Sequence, residues 1–281
     1  MTAWRARSAD AGNADARCPV EFLHVILLAV VQGLTEFLPV SSSGHLVLAQ
    51  HFLHAFEGDV ALDVILHVGT LVAVLAVYWR EVRRLLTFDA AAMQYVAALV
   101  VGTLPAVAVG LLLKDRVEAL FADPRATAVA LMFTGLILLS TRAARSDLRR
   151  VPGGWHPVPP PLSKALLIGC AQAVAITPGI SRSGSTIAAS LWLGLPRDEA
   201  ARFSFLLAVP AIVGALVLHL LDGGLRSQAG PVALTAGAVV AFLVGIVAVR
   251  LTALLVVQRH FWKFSFYCLT LGAAMFLLLG E

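Results

Sequence analysis

The chain has 281 residues, of which 59% are hydrophobic and 14% charged, and its mean hydropathy is +0.86. This composition excludes an ordinary soluble domain and predicts an integral membrane protein. The formal net charge of +4 comes from short clusters between apolar runs. Such clusters are typical of loops that face anionic lipid, and they exclude the continuous basic surface of a nucleic-acid-binding protein.

The first 20 residues are rich in Ala and Arg and lack the apolar core of a signal peptide. We therefore expect a disordered tail, residues 1–20, before one integral membrane domain, residues 21–281. The three cysteines, Cys18, Cys170 and Cys268, are far apart in the sequence, and two of them lie in apolar stretches. Their spacing predicts neither a disulfide framework nor a metal knuckle.

Six runs contain no Asp, Glu, Lys or Arg, and each approaches the length that a helix needs to cross about 30 Å of hydrocarbon. These runs are residues 64–79, 93–113, 126–141, 203–221, 232–249 and 264–280. Their side chains do not alternate with the period of two that a membrane β-barrel requires. The predicted fold class is therefore an all-α polytopic membrane protein with six transmembrane helices.

Positive charge concentrates in segments 80–84, 142–164 and 259–263. The positive-inside rule assigns these three segments to the cytoplasm. Segments 114–125 and 222–226 have balanced charge, and they lie on the opposite side if the six helices alternate in direction. The charge distribution and the number of spans therefore agree.

Two further apolar regions are interrupted by Pro, Gly and Ser. Residues 22–56 are broken at 39–44, and residues 162–195 are broken at 178–184. Each half has only about 11 to 17 residues, which suits a half-helix better than a full span. We therefore predict two re-entrant helix hairpins, the first entering from the outside and the second from the cytoplasm.

The two broken regions also resemble each other in sequence. An offset of 140 residues aligns Gln32 with Gln172, Ser41 with Ser181, Ser43 with Ser183, and Gly44 with Gly184. Inverted-repeat membrane proteins place their midplane sites at such broken helices. The sequence therefore predicts an inverted-topology repeat, with halves of roughly residues 21–141 and 162–281 joined by a cytoplasmic loop, residues 142–161.

The second break predicts an anion site. Irregular backbone at membrane depth persists only where protein or a water-filled cavity satisfies its amides. Arg182 lies between Ser181 and Ser183, and Gly184 opens the helix that follows, so a guanidinium adds a bidentate donor to a positive helix end. The alternative is an arginine that extends to the cytoplasmic headgroups.

The first break places a carboxylate within the membrane. Gln32 and Glu36 share one helix face, and a central carboxylate needs a cation, water or a partner such as Arg182. With Gln32 as a second ligand, the site suits a hard divalent cation, Mg²⁺ or Ca²⁺, completed by waters and substrate oxygens. In the alternative, Gln32 only donates a hydrogen bond to the loop.

His45 follows three consecutive serines, residues 41–43, and lies close enough to them to be a general base, a general acid or a nucleophile. The alternative for a single histidine is a satisfied interior hydrogen bond, which is the interpretation that we favour for His67 and His219. One of the serines is expected to cap the helix that begins near Gly44.

Carboxylate, cation, hydroxyl, imidazole and guanidinium beside two helix N-termini predict hydrolysis of a phosphate anhydride. The sequence contains no Gly-rich loop with Lys-Ser/Thr for a nucleotide, and a site within the membrane indicates a lipid substrate. The alternative from another class is a transporter or flippase for a prenyl phosphate lipid, because secondary transporters also use inverted repeats with broken helices.

Residues 32–45, QGLTEFLPVSSSGH, resemble the first signature of the bacterial undecaprenyl-diphosphatase, or bacitracin-resistance, family. In that signature, (E/Q)xxxE runs into PVSS(S/T)GH. Residues 178–184, PGISRSG, resemble the second signature, PGxSRSG. The resemblance extends from about residue 20 to the C-terminus and includes segment 203–210.

The resemblance implies hydrolysis of undecaprenyl diphosphate to undecaprenyl phosphate and inorganic phosphate, which recycles the carrier lipid of cell-wall synthesis. It further implies Mg²⁺ or Ca²⁺ stimulation, two re-entrant helix pairs in an interdigitated inverted repeat, and a bacterial inner-membrane enzyme whose site opens to the periplasm. The partners are then the polyprenyl diphosphate and membrane lipids. The oligomeric state, a homodimer included, stays open.

By the same resemblance, Glu36, Ser42, His45 and Arg182 match the positions treated as catalytic. The supporting polar positions that would bind substrate are Ser41, Ser43, Ser181, Ser183 and, at the helix start, Gly184. Many family members have Glu where this chain has Gln32, which removes one negative charge from the metal site. Glu36 is then the main acidic ligand or base.

Overall fold

The structure is a computed structural model, and it describes residues 20–113, 116, 119–120, 123–146, 158–221 and 227–279. The regular secondary structure of these residues is helical throughout. The helices are α1 (Val20–Thr35), α2 (Ser42–Leu53), α3 (Val60–Val77), α4 (Trp79–Leu85), α5 (Ala90–Leu112), α6 (Pro124–Ser140), α7 (Leu162–Val174), α8 (Arg182–Trp192), α9 (Arg197–Leu221), α10 (Pro231–Val257) and α11 (Phe264–Leu278). Short 3₁₀ turns, Thr141–Ala143 and Phe261–Lys263, adjoin α6 and α11.

Six helices in the described part of the chain are long and apolar enough to cross a membrane. They are α3, α5, α6 with its 3₁₀ turn, α9, α10, and α11 with its 3₁₀ turn. Each of the six predicted runs falls on one of these helices, so the prediction of an all-α protein with six spans is confirmed. The chain is a multi-pass membrane protein.

Several sequence predictions lie wholly or partly outside the described residues. They are the tail at residues 1–19 with Cys18, most of the loop 142–161, part of segment 114–125, the whole of segment 222–226, and Gly280. Within the described residues, Cys170 and Cys268 are both free thiols.

Three helices begin at aspartates whose side chains accept backbone N–H groups. Asp59 accepts from the first turn of α3, Asp89 from the first turn of α5, and Asp123 from the first turn of α6. This capping explains why α3 begins four residues before the uncharged run that starts at Val64. Asp63 therefore lies inside the helix, one turn beyond its cap.

Glycines allow three pairs of helices to pack with their backbones in contact. A Cβ on Gly69 of α3 would lie 2.3 Å from the Ala238 carbonyl oxygen of α10. A Cβ on Gly169 of α7 would lie 2.3 Å from the Gly102 carbonyl oxygen of α5, and Gly272 similarly brings α11 against α6. Small residues have this role in membrane helix packing, where lipid provides no hydrophobic force between helices.

Four of the five short helices in the described part of the chain form two pairs, α1 with α2 and α7 with α8, and the members of each pair are separated by a non-helical break. Lys164 at the start of α7 donates a hydrogen bond of 2.7 Å to the Leu193 carbonyl after α8, so this pair folds back on itself. Val25 of α1 and Phe56, which follows α2, share one buried cluster.

The breaks begin about three residues earlier than the sequence predicts, at residues 36–41 and 175–181. The sequence prediction placed both Ser-x-Ser-Gly segments in the breaks. In the structure, Ser41 and Ser181 are N-caps, so the residues after them are already helical. The serine caps thus set the C-terminal end of each break about three residues earlier than predicted.

A buried polar cluster joins α4, α5 and α9 at one end of the bundle. Glu199 accepts hydrogen bonds from Tyr95 (2.6 Å) and Arg202 (2.7 Å), and Arg202 also lies 3.5 Å from Glu81. The end of α3, which runs into α4, is therefore close to the start of α9. Asp59, at the other end of α3, instead accepts hydrogen bonds from the segment that precedes α10.

Candidate active site

The two breaks lie against each other inside the bundle. A Cβ added to Gly44 would lie only 2.9 Å from the Cα atom of Gly179, so the two backbones are in direct contact there. The Ser183 hydroxyl also donates to the Leu38 carbonyl oxygen at 3.3 Å. Polar residues that are separated by about half of the chain therefore form one site.

Glu36 is the centre of this site. Its Oε1 atom pairs with the guanidinium of Arg182, and its Oε2 atom accepts hydrogen bonds from Ser42 (2.6 Å) and Gln32 (3.0 Å). The His67 ring nitrogen Nε2 lies 3.3 Å from the same Oε2 atom. A buried carboxylate requires this kind of charge pairing and donation to offset the loss of water.

Ser41 and Ser42 have different roles in the first break. Ser41 is the N-cap of α2, and its Oγ atom accepts the Gly44 amide hydrogen at 3.3 Å. Ser42 is the first residue of α2, and its hydroxyl donates to Glu36 instead. The carboxylate is therefore placed to accept the proton of Ser42, which is the arrangement of an activated serine nucleophile.

The second break repeats this capping pattern. The Ser181 Oγ atom accepts the Gly184 amide hydrogen at 3.0 Å, so Ser181 is the N-cap of α8. In each break the capping serine also contacts the serine two residues later: the hydroxyl oxygens of Ser41 and Ser43 are 3.3 Å apart, and those of Ser181 and Ser183 are 3.2 Å apart. Arg182 is the first residue of α8, so its guanidinium and the positive helix end lie together.

Thr134 of α6, which no sequence motif identified, holds the second break in place. Its hydroxyl donates to the Gly179 carbonyl oxygen at 2.8 Å and accepts the Ser181 amide hydrogen at 2.9 Å. A threonine within an apolar span gives no sequence signal for this role, because the contact depends on how α6 packs against a segment 45 residues later.

The His45 ring is bonded away from Ser42. Its Nδ1 atom lies 2.8 Å from the Ser41 carbonyl oxygen, and its Nε2 atom lies 2.8 Å from the Tyr267 hydroxyl. From the sequence, His45 could be a general base, a general acid or a nucleophile; in the structure, the Ser42 hydroxyl donates its hydrogen bond to Glu36. Tyr267 was not predicted as a site residue, because it lies in an apolar span 222 residues later.

His67 belongs to the site as well. We interpreted it from sequence as a satisfied interior histidine, and its interior partner is Glu36. Its Nδ1 atom lies 2.7 Å from the Asp63 carbonyl oxygen. The Asp63 carboxylate accepts a hydrogen bond from Gln50 at 2.9 Å. The sequence feature that could have indicated this role of His67 is a single histidine within a long apolar helix.

The residues beside Glu36 could bind a cation that takes most of its ligands from substrate and water. The Gln32 Oε1 atom is buried and has no hydrogen-bond partner among the described residues, so an acceptor oxygen is available next to the carboxylate. The described part of the chain contains no group of three His, Cys, Asp or Glu side chains that could hold an ion by itself. Substrate oxygens and waters would have to complete the shell of a hard divalent cation.

Comparison with known proteins identifies the family of this chain. The family model described as "Bacitracin resistance protein BacA" matches residues 25–274. A protein of Rhodopirellula baltica named undecaprenyl-diphosphatase is 41% identical over 263 residues, which cover 92% of this chain and 98% of the relative. Proteins with the same name from Desulfatibacillum aliphaticivorans (39% identical, 91% and 98% covered) and Syntrophotalea carbinolica (41% identical, 92% and 98% covered) are similar throughout. The chain therefore belongs to the bacitracin resistance protein family, as its two signatures predicted.

Proposed function

We propose that this chain is an undecaprenyl-diphosphatase, a phosphoric anhydride hydrolase that converts undecaprenyl diphosphate into undecaprenyl phosphate and inorganic phosphate. The observation that carries the proposal is the hydrogen bond of 2.6 Å from Ser42 to Glu36, a carboxylate that is paired with Arg182 of the other break. Relatives that cover nearly the whole chain have this activity in their names.

In the proposed reaction, Glu36 accepts the Ser42 proton while the Ser42 oxygen attacks the terminal phosphorus atom. The bond between this phosphorus atom and the bridging oxygen breaks, and undecaprenyl phosphate leaves with the electron pair. Arg182 and the N-terminus of α8 hold the terminal phosphate, since both favour negative charge. Water then attacks the phosphoserine while the His45 Nε2 atom accepts one of its protons. Inorganic phosphate leaves, Ser42 recovers its proton from Glu36, and His45 releases its proton to the solvent.

Ser181, Ser183 and Gly184 support the phosphate end of this reaction. All three lie in the cap and first turn of α8, next to Arg182. Ser41 and Ser43 have the corresponding places at α2, where they hold the turn that presents Ser42. We propose these five residues as the substrate-binding shell around the two helix starts.

We further propose that Mg²⁺ or Ca²⁺ assists the reaction. Glu36 and Gln32 would hold the cation, together with oxygens of the diphosphate and water. A bound divalent cation would neutralise part of the charge of the diphosphate. The buried, unpartnered Oε1 atom of Gln32 supports this proposal, because it offers an oxygen ligand beside the carboxylate.

For the membrane arrangement, we propose two re-entrant hairpins, α1–α2 and α7–α8, within an inverted repeat that forms one integral membrane domain. Its support is the course of α3, which begins beside the first hairpin and ends near Arg202, close to where the second hairpin continues into α9. The open ends of the hairpins then face opposite sides. We propose, as the family resemblance implies, that the protein lies in the bacterial inner membrane with its site open to the periplasm, and the charge rule supports the orientation of the helices.

The transporter alternative receives no support from the comparisons, in which the relatives named above are diphosphatases. The first experiment measures phosphate release by the purified, detergent-solubilised protein from a long-chain prenyl diphosphate, with EDTA and with added Mg²⁺ or Ca²⁺. Release should require Ser42 and Arg182, so Ser42→Ala and Arg182→Ala should abolish it. Thr235→Val is the matched control, because the Thr235 hydroxyl bonds only to its own helix on the surface. No release by well-folded wild-type protein would refute the proposal.

A second experiment identifies the nucleophile. The reaction is quenched in acid and in alkali, and the phosphorylated peptide is located by mass spectrometry. Acid-stable label on Ser42 is expected. Alkali-stable label on His45 would replace the serine route with direct attack by histidine, and single-turnover hydrolysis without either label would indicate direct attack by water.

A further inference from the structure

Only one nitrogen of the His45 ring is available for chemistry. The Nδ1 atom lies 2.8 Å from the Ser41 carbonyl oxygen, and a carbonyl oxygen can only accept a hydrogen bond. The hydrogen of a neutral His45 ring is therefore on Nδ1, and Nε2 carries the lone pair. Any action of His45 as a base or nucleophile in the proposed reaction must use Nε2.

Tyr267 of α11 forms a hydrogen bond with the Nε2 atom of His45. Its hydroxyl oxygen lies 2.8 Å from Nε2, so the phenol donates its hydrogen to the His45 lone pair. The two rings are also nearly parallel, with an interplanar angle of 9° and centroids 5.7 Å apart. A hydrogen bond and a stacked ring together fix both the position and the plane of the imidazole.

Neighbouring residues of α11 hold Tyr267 close to the first break. Cys268 is fully buried, and its sulfur lies 3.6 Å from the Pro39 carbonyl oxygen. The next residue, Leu269, fills the space at Gly135 of α6, where an added Cβ would lie 2.6 Å from the leucine Cγ atom. The Tyr267 side chain is half-exposed, and its hydroxyl is the part of it that contacts the site.

The same helix contact links Tyr267 to the second break. Thr134, which binds the backbone of Gly179 and Ser181, precedes Gly135 in α6. The packing of α11 on α6 therefore sets the distance between the His45–Tyr267 pair and the phosphate-holding end of α8. The Nε2 atom of His45 is therefore positioned by α11 as well as by α2, the helix that contains His45.

We propose that Tyr267 is a positioning residue that holds His45 through Nε2 after substrate has bound and releases that nitrogen only to the attacking water. The catalytic part of this inference rests on the proposed diphosphatase function, whereas the contact itself does not. Loss of the hydroxyl should misplace the ring for catalysis and, at the same time, expose Nε2 to reagents in the absence of substrate.

The first test compares the phosphatase kinetics of Tyr267→Phe with those of Thr270→Val. Tyr267→Phe removes one oxygen from a half-exposed side chain, so the fold should survive, as gel filtration and thermal unfolding would show. We expect kcat to fall about tenfold, the equivalent of one strong hydrogen bond, with KM almost unchanged. Thr270→Val removes a hydroxyl that bonds only to its own helix, and it should leave both constants unchanged. A wild-type kcat for Tyr267→Phe would overturn the positioning role.

The second test needs no turnover. Diethyl pyrocarbonate acylates unprotonated imidazole nitrogens, and mass spectrometry of the peptide that contains His45 gives the rate at this residue. The rate should rise about fivefold in Tyr267→Phe, because one hydrogen bond to Nε2 is lost, and it should stay at the wild-type value in Thr270→Val. Equal rates in wild type and Tyr267→Phe would overturn the contact. A faster rate in a protein that releases no phosphate would instead refute the proposed function and leave the contact standing.

Discussion

The contact between the two breaks can be tested by replacing Gly44 with alanine. The added Cβ would lie 2.9 Å from the Gly179 Cα atom and 3.2 Å from its nitrogen. Carbon atoms in contact are ordinarily about 3.5–4.0 Å apart, so the breaks would have to separate by roughly 0.5–1 Å. Gly179 cannot retreat, because its other side faces the Thr127 carbonyl oxygen and Ala130 of α6 so closely that a Cβ there would clash with both.

The separation should affect catalysis more than stability. Overpacking of this size costs about 1–3 kcal/mol, which corresponds to a decrease of a few degrees in the apparent melting temperature. Ser42 lies two residues before Gly44, and its hydrogen bond of 2.6 Å to Glu36 has little room to lengthen. Because a displacement of about 1 Å between reacting groups can cost on the order of 100-fold in rate, we expect kcat to fall 10- to 100-fold.

The assay is phosphate release from a long-chain prenyl diphosphate, combined with thermal unfolding of the same preparations. Gly110→Ala is the matched control, because this glycine is also helical but no atom would lie within 4 Å of an added Cβ. The control should keep full activity and gain up to about 1 kcal/mol of stability from helix propensity. Wild-type turnover by Gly44→Ala would refute the reasoning, since the site would then tolerate separation of the breaks.

Four further substitutions, at three positions, test the surroundings of Glu36. Arg182→Lys should lower kcat in the phosphate-release assay roughly 100-fold, because a point charge cannot replace the planar donor fork, and near-normal turnover would contradict the phosphate-holding role. Gln32→Glu should keep activity and lower the Mg²⁺ concentration that gives half-maximal activity in a Mg²⁺ titration. A collapse in activity without unfolding would show that the neutral amide is required. His67→Gln should keep most activity, because its amide can still donate to Glu36, whereas His67→Leu should lose activity and thermal stability. Equal behaviour of the two His67 variants would show that donation from this position is unimportant.

Much of the fold could be predicted because charge is rare in this chain. Uninterrupted apolar runs located the six long helices, and the Pro, Gly and Ser clusters located both breaks. The prediction placed the breaks about three residues late, because it treated Ser-x-Ser-Gly as irregular. Local hydrogen bonds that the Ser41 and Ser181 hydroxyl oxygens accept from the Gly44 and Gly184 amides decide that boundary.

The candidate site could be predicted only where its residues stand out locally. Glu36 and Arg182 are charges within apolar surroundings, and the structure pairs them. Thr134, His67 and Tyr267 join the same site through the packing of α6, α3 and α11. The sequence of an apolar helix does not show which of its polar residues will face a distant segment, so these three roles required the structure.

The two capping serines also differ in a way that their identical Ser-x-Ser-Gly settings conceal. Ser181 has an ordinary backbone (φ −70°, ψ 119°), whereas Ser41 has a φ of +69° and a ψ of 100°. A positive φ costs a residue other than glycine on the order of 1–2 kcal/mol, which the surrounding contacts have to offset. The same short motif therefore occurs once with a relaxed backbone and once with a strained backbone. The relaxed backbone is in the half that would hold the phosphate, and the strained backbone is beside Ser42 and His45, so the two occurrences of the motif differ in both conformation and proposed role.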